Sequence, residues 1–285
     1  MGKTLTQLLT GETPPVWLDF YDYASALLAG NGGIPWFDDA AFAAFHGKAQ
    51  SLLRSDVVGL PVARIAAALL DAKPDLVAAM KAKSRPAYPL RRLLEEESLR
   101  QAVTALLTPL RAAAADRPLA LVIPSPRLWL ALAYAAAHGA PLDAETATDG
   151  DEIDGAAVYV ADFLRCFADA GIDFVLLSEA ENDGPANAES LSWYEPVFKT
   201  ARHYRWEIGL LDPAGKLPAA DAAALDFLIT PTPGTAIACG RILPAAFWAD
   251  GESALGQGRF SYGAVPVGAV PEIVLDRIAS LRRQG

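Results

Sequence analysis

The sequence predicts an α/β protein folded as one (β/α)8 barrel over residues 1–285, and three observations lead there. Short apolar stretches of strand character alternate with longer amphipathic stretches, which implies βαβ units and a parallel sheet. Eight such strand stretches occur, the number that closes a barrel of this kind. No G-x-G-x-x-G follows any of them, so the usual sequence mark of a dinucleotide-binding sheet is missing.

In chain order, the strands are expected at 16–20 (VWLDF), 57–60 (VVGL), 119–123 (LALVI), 173–178 (DFVLLS), 206–211 (WEIGLL), 225–230 (LDFLIT), 235–239 (TAIAC) and, most weakly, 260–267 (FSYGAVPV). Each is a short run dominated by apolar residues, the pattern of a parallel strand covered on both faces. Helical periodicity is clearest at 62–82, 90–115, 127–138, 152–170, 188–203 and 271–283. Two longer loops, the acidic 140–156 and the stretch 180–190 (AENDGPANAES), border strand ends where barrel loops build sites or lids. The stretch 248–262 leaves room for little more than a helical turn between the last two strands, so a shortened late βα unit is expected there.

Composition narrows the function classes. Charged residues make up 20% and hydrophobic ones 52%, with mean hydropathy +0.21, which is the balance of an ordinary globular chain. The formal charge of −10 argues against a nucleic-acid or anionic-membrane surface, since both require clustered Lys and Arg. The N-terminus lacks the layout of a signal peptide and no apolar run approaches a membrane span, so a cytoplasmic location is expected. Two cysteines, Cys166 and Cys239, make neither a disulfide framework nor an all-cysteine zinc site. Cys166 sits on an apolar helix face with Phe163 and Phe167 and is expected in the core. The three histidines have no carboxylate or Cys at ligand spacing, and no Ser stands in a G-x-S-x-G context.

Several stretches together resemble the superfamily of uroporphyrinogen decarboxylase, the zinc-dependent methylcobalamin:thiol methyltransferases and cobalamin-independent methionine synthase. They are "PPVWLDFYDY" (14–23), "LALVIPSPRLWLALA" (119–133), "VADFLRCFADAGIDFVLLSEAE" (160–181), "SLSWYEPVFKTARHYRWEIGLLDPAG" (190–215), "ALDFLITP" (224–231), "CGRILP" (239–244) and "VPEIVLDRIASLR" (270–282). The resemblance implies a barrel enzyme acting on a small polar metabolite by methyl (one-carbon) transfer or decarboxylation. Two departures bear on the chemistry. The decarboxylase's carboxylate-reading Arg is replaced after the first strand by Asp19-Phe-Tyr-Asp-Tyr23, and a carboxylate there would repel an acetate-rich tetrapyrrole. The His-x-Cys of the methyltransferases is absent where the fifth strand ends in Glu207-Ile-Gly-Leu-Leu-Asp-Pro213, so zinc is not expected. Methyl transfer is the favoured branch on the fourth-strand acid and the Cys-Gly before Arg241. The alternative is a non-catalytic barrel subunit that binds a corrinoid, a folate or a partner enzyme, as a homodimer or beside a methyltransferase subunit.

In a barrel the reacting groups gather at the carboxyl ends of the strands. Those ends offer Asp19 and Tyr21, Ser125 and Arg127, Ser178, Glu179 and Glu181, Asp212, Thr230 and Thr232, and Cys239 with Arg241. Glu179 and Asp19 are the expected catalytic pair. A partly desolvated carboxylate at Glu179 would have a raised pKa and serve as general acid or base, against the plainer reading of a salt-bridging or helix-capping residue. Asp19 reads equally as the N-cap of the next helix, and Asp212, before Pro213, as part of a turn. Tyr21, Arg127, Ser178, Glu181, Asp212 and Arg241 are the expected substrate-binding set, with the two arginines suited to clamp a carboxylate bidentately unless paired with one of these acids. The aromatic pair Trp193-Tyr194 is read as core or subunit contact.

Overall fold

The computed structural model of the chain describes residues 4–249 and 257–283. A short helix α1 (Leu5–Leu8) precedes β1 (Val16–Asp19), α2 (Tyr21–Ala24) and α3 (Asp39–Leu53). Next come β2 (Val58–Pro61), α4 (Val62–Ala72), α5 (Pro74–Met80), α6 (Tyr88–Leu94) and α7 (Glu97–Ala114), then β3 (Leu119–Pro124) with α8 (Pro126–His138), α9 (Ala144–Ala147) and α10 (Gly150–Arg165). β4 (Phe174–Ser178) is followed by α11 (Ala188–Ser192) and α12 (Glu195–Tyr204), and then by β5 (Glu207–Leu211) and β6 (Phe227–Thr230). The chain finishes with β7 (Ala238–Ile242), α13 (Ala245–Ala249), β8 (Phe260–Ala264) and α14 (Pro271–Arg283).

All eight strands pair in parallel in the order β1-β8-β7-β6-β5-β4-β3-β2, a nearly closed (β/α)8 barrel. No ladder joins β1 to β2; one backbone bond, from the Asp56 N–H to the Val16 carbonyl at 2.9 Å, and several side-chain bonds close that seam. The Asp56 carboxylate accepts the Val16 N–H at 2.8 Å and the Ser55 Oγ accepts the Leu18 N–H at 3.0 Å. The Tyr21 hydroxyl then donates to the Gly59 carbonyl at 2.8 Å. Aspartates also secure two further strand pairs at their amino ends. Asp173 accepts from Leu119 N–H and Asp226 from Ile208 N–H, so the acid ahead of β4 and the acid ahead of β6 each hold the strand before, as Asp56 ahead of β2 holds β1.

Strand alternation divides the apolar residues into two cores. Even-numbered residues of β4 such as Phe174 and Leu176 fill the lumen with Trp17, Phe227, Phe260 and Tyr262, while Val175 and Leu177 face the helices. The lumen is packed ring on ring, with Trp17 6.3 Å from Phe174 and 5.8 Å from Tyr262 between centroids. Gly209 and Gly240 make room for these rings. A Cβ at Gly209 would lie 2.1 Å from the Phe227 ring, and one at Gly240 2.4 Å from Phe260.

Three expected helices are broken, two of them beside a proline. The helix expected over 62–82 divides into α4 and α5 because Pro74 has no N–H and holds Lys73 extended, at φ −128° and ψ 75°. The helix over 90–115 starts earlier and breaks between Leu94 and Glu97, and that over 188–203 divides before Pro196. The helix α3 lies in a stretch left without an element by the sequence; Asp38 caps it by accepting from Ala41 N–H. Two earlier connections are short. Residues 231–237, between β6 and β7, carry no helix, and the β5–β6 connection holds only a 3₁₀ turn at Ala219–Asp221. The expected short stretch 248–262 begins inside α13, and its residues 250–256 lie outside the described ones.

Candidate functional site

The two expected catalytic acids stand in different places, and strand parity is the reason. Asp19 continues the lumen side of β1 set by Trp17, whereas Glu179, one residue past β4, continues the helix-facing side set by Val175 and Leu177. They share no hydrogen-bond or ion-pair partner, so the expected Glu179–Asp19 pair is not assembled.

Asp19 sits at the lumen mouth, beside a small cavity lined by Trp17, Gly59, Pro61, Val122 and Tyr262. Its partner is Arg64 in the first turn of α4, whose Nη2 lies 2.9 Å from Asp19 Oδ2 while Nη1 reaches Asp22 at 2.6 Å. Burial pushes the Asp19 carboxyl up from its ordinary range, and the Arg64 charge opposes that shift. The structure therefore does place a guanidinium on the first-strand carboxylate, from the next helix. Tyr21 is committed elsewhere, since its hydroxyl closes the β1–β2 seam and its ring packs against Phe20, Trp36 and Phe42. Ser178 donates to the Ile123 carbonyl at 3.3 Å.

Glu179 is the centre of the second, denser cluster. It is 5% exposed, and both its oxygens are held: Ser125 Oγ donates to Oε2 at 2.7 Å and the Tyr194 hydroxyl to Oε1 at 2.6 Å. Ser125 is there because it caps α8, accepting the Leu128 N–H at 3.1 Å while its own proton points to the acid. Burial pushes the Glu179 carboxyl up to about 7, against the pull of Tyr194, Ser125 and Arg127. Arg127, in the first turn of α8, stacks on the Trp193 ring at 5.7 Å and lies 3.6 Å from Asp183. Lys216 approaches the other oxygen of Asp183 at 3.3 Å. Gly184, at φ +155°, fits tightly over the acid, for a Cβ there would meet Glu179 Cγ at 3.3 Å and Asp212 Oδ1 at 3.6 Å.

The remaining expected residues divide. Asp212 joins the cluster but works as a turn residue, its Oδ2 accepting the Leu217 N–H at 2.8 Å, while its buried Oδ1 has no hydrogen-bond partner among the described residues. Burial raises its pKa, and the backbone N–H groups of the turn oppose the rise. Glu181 is exposed and makes no hydrogen bond or ion pair with another described residue, and Thr232 is exposed too. Thr230 is buried at the end of β6. Strand β7 runs three residues later than expected, so Cys239 and Arg241 lie within it and not past its end. Cys239 is buried against the helices, and Arg241 Nε donates to Ser261 Oγ on β8 at 2.9 Å. Cys166, expected in the core, is exposed just past α10. His46 is buried among Phe20, Tyr21 and Phe42, and burial lowers its pKa to about 4. Among the described residues no three His, Cys, Asp or Glu side chains come together as metal ligands.

Arg64, Asp183 and Lys216 are the site residues that sequence reasoning passed over, and Tyr194, read as core or subunit contact, is buried but also bonds Glu179. Arg64 had a readable signal, since an Arg in the first turn after a barrel strand sits at the strand top. Tyr194 had none, because its bond to Glu179 joins residues 15 apart through an irregular connection. Set against known protein-family models and against curated proteins, the chain matches none.

Proposed function

We propose that the chain is a barrel enzyme of the uroporphyrinogen decarboxylase-like kind, acting on a small polar metabolite by proton-assisted methyl (one-carbon) transfer or decarboxylation, with Glu179 as the group that moves the proton. The observation that carries this reading is Glu179 itself: a buried carboxyl titrating near neutrality, oriented by two hydroxyls and next to an arginine. A group with that pKa exists in both protonation states at pH 7, which is what general acid–base chemistry requires. As an acid it would protonate the carbanion left by loss of CO2; as a base it would take the proton from a methyl acceptor. Asp19 with Arg64, at the lumen mouth, is then a polar contact for the rest of the substrate and not a second proton carrier. No helix among the described residues is long and apolar enough to cross a membrane, in keeping with a small-molecule substrate met in solution.

The test is turnover by the isolated protein. Methyl transfer from methylcorrinoid and methylfolate donors and CO2 release from carboxylated metabolites would be assayed for wild type and Glu179→Gln, with melting curves to verify folding. Loss of turnover by a hundredfold or more in a folded Gln variant is expected; full activity in that variant would sink the reading. Coproporphyrinogen formation from uroporphyrinogen would instead identify true porphyrinogen decarboxylation.

A non-catalytic barrel subunit is the second reading, and the helix-free β6–β7 connection favours it. A groove lined by Gly234, Ala236, Cys239 and Arg259 runs beside that connection, where a barrel normally carries a helix. Co-purification with a second chain, and no turnover with any donor, would support it.

A further inference from the structure

Arg127 is an under-used arginine. Its residue is 8% exposed, its buried Nε has no hydrogen-bond partner among the described residues, and its one ion pair among them is with Asp183, at a distance of 3.6 Å that is too long for a good hydrogen bond. A guanidinium offers a planar fork of donors suited to a carboxylate, and a buried donor left unmade costs free energy. Its plane is already fixed by Trp193 and its backbone by the capped first turn of α8. Lys216 supplies a second cation from the loop after β5, directed at the same Asp183 carboxylate. Two cations from separate elements thus converge on one acid of the β4 loop. That acid faces solvent as Lys216 does, its side chain 41% exposed over an arginine side chain only 9% exposed.

We infer that Arg127 and Lys216 form a carboxylate-binding subsite, and that Asp183 sits in it as an internal stand-in which a substrate carboxylate displaces. The inference rests on the proposed use of Glu179 as the reacting group, and it gives that site a substrate class: a small metabolite bearing at least one carboxylate. Rotation of Asp183 outward frees the Nη1 of Arg127 that it faces. The incoming carboxylate then lies beside the Glu179 carboxyl, near the Asp212 Oδ1 that accepts from no donor among the described residues and so offers an acceptor to a substrate hydroxyl or ammonium. Asp183 also keeps the two cations from being left unpaired in the absence of substrate.

Malonate is the probe, titrated into the whole chain by isothermal calorimetry. Removing the competing acid in Asp183→Ala should tighten malonate binding about tenfold or more over wild type, and adding Arg127→Met to that variant should abolish the gain. Malonate bound no more tightly by Asp183→Ala than by wild type overturns the subsite. Should the Arg127 variant fail to fold, Lys216→Met in the Asp183→Ala background replaces it, with a loss of several-fold expected and unchanged binding fatal. Glu179→Gln in the same background should still bind malonate. If it binds while single Glu179→Gln retains full turnover, the proton-transfer reading fails and the carboxylate subsite stands. If Glu179→Gln abolishes turnover but Asp183→Ala shows no gain, the converse holds.

Discussion

At the scale of single residues, two opposed forces set the protonation of Glu179. Desolvation favours the neutral acid, while Ser125, Tyr194 and Arg127 favour the carboxylate, and desolvation wins. The unfolded chain ionises this group near 4.5 and the folded chain near 7, so folding holds the proton longer. Its contribution to stability is therefore lost as pH rises through that window, with a penalty on the order of 3 kcal/mol above it. Melting temperatures measured from pH 4 to 9 should show Glu179→Gln gaining on wild type as pH rises, and a constant difference would contradict the assignment. Tyr194→Phe removes a donor that favours the charged form, so the same titration midpoint should move upward in that variant. A carbon-13 spectrum of labelled Glu would report both midpoints directly.

At the scale of elements, the barrel is held at its weakest join by two residues ahead of β2. Ser55 and Asp56 hold the first strand with side-chain acceptors because no ladder connects β1 and β2. Ser55→Ala would strand the buried Leu18 N–H and remove the bond from Ser55 Oγ to the Val57 carbonyl, at a cost of about 1–3 kcal/mol. Urea unfolding should show a lower midpoint with an unchanged slope; an unchanged midpoint would mean that the seam contributes little. The helices illustrate how much local chemistry dictates. Proline and capping residues decide where α4 ends and where α3, α8 and α12 begin, and these residues are visible in the sequence, although α3 was passed over. The offset of β7 has a different cause. Its neighbours on both sides fix its register, pairing Leu228 with Cys239 and Arg241 with Ser261, so Thr235 to Ile237 become connection despite their apolar and β-branched character.

At the scale of the whole molecule, the lumen is a solid core of rings, and glycines decide which ring fits where. Gly209→Val would drive a side chain into Phe227 and cost at least about 1–3 kcal/mol in overpacking, with Phe227→Leu in the same chain recovering part of the loss. Additive losses in chemical denaturation would show that the two positions do not share space. The eight-strand barrel was legible because parallel strands covered on both faces leave continuous apolar runs, separated by helical periods. Glu179 was legible as well, since a carboxylate ending such a run is conspicuous. What the sequence by itself determined was therefore the barrel, the order of its strands and the acid at the end of β4, because these depend on local periodicity and on polarity at strand ends. Only the tertiary structure decided that Asp19 faces the lumen and Glu179 the helices, that Arg64 neutralises the first and that Tyr194, Arg127 and Lys216 surround the second. Those relations are set by strand parity and by contacts between residues far apart in the chain, and no spacing along a single strand or helix encodes them.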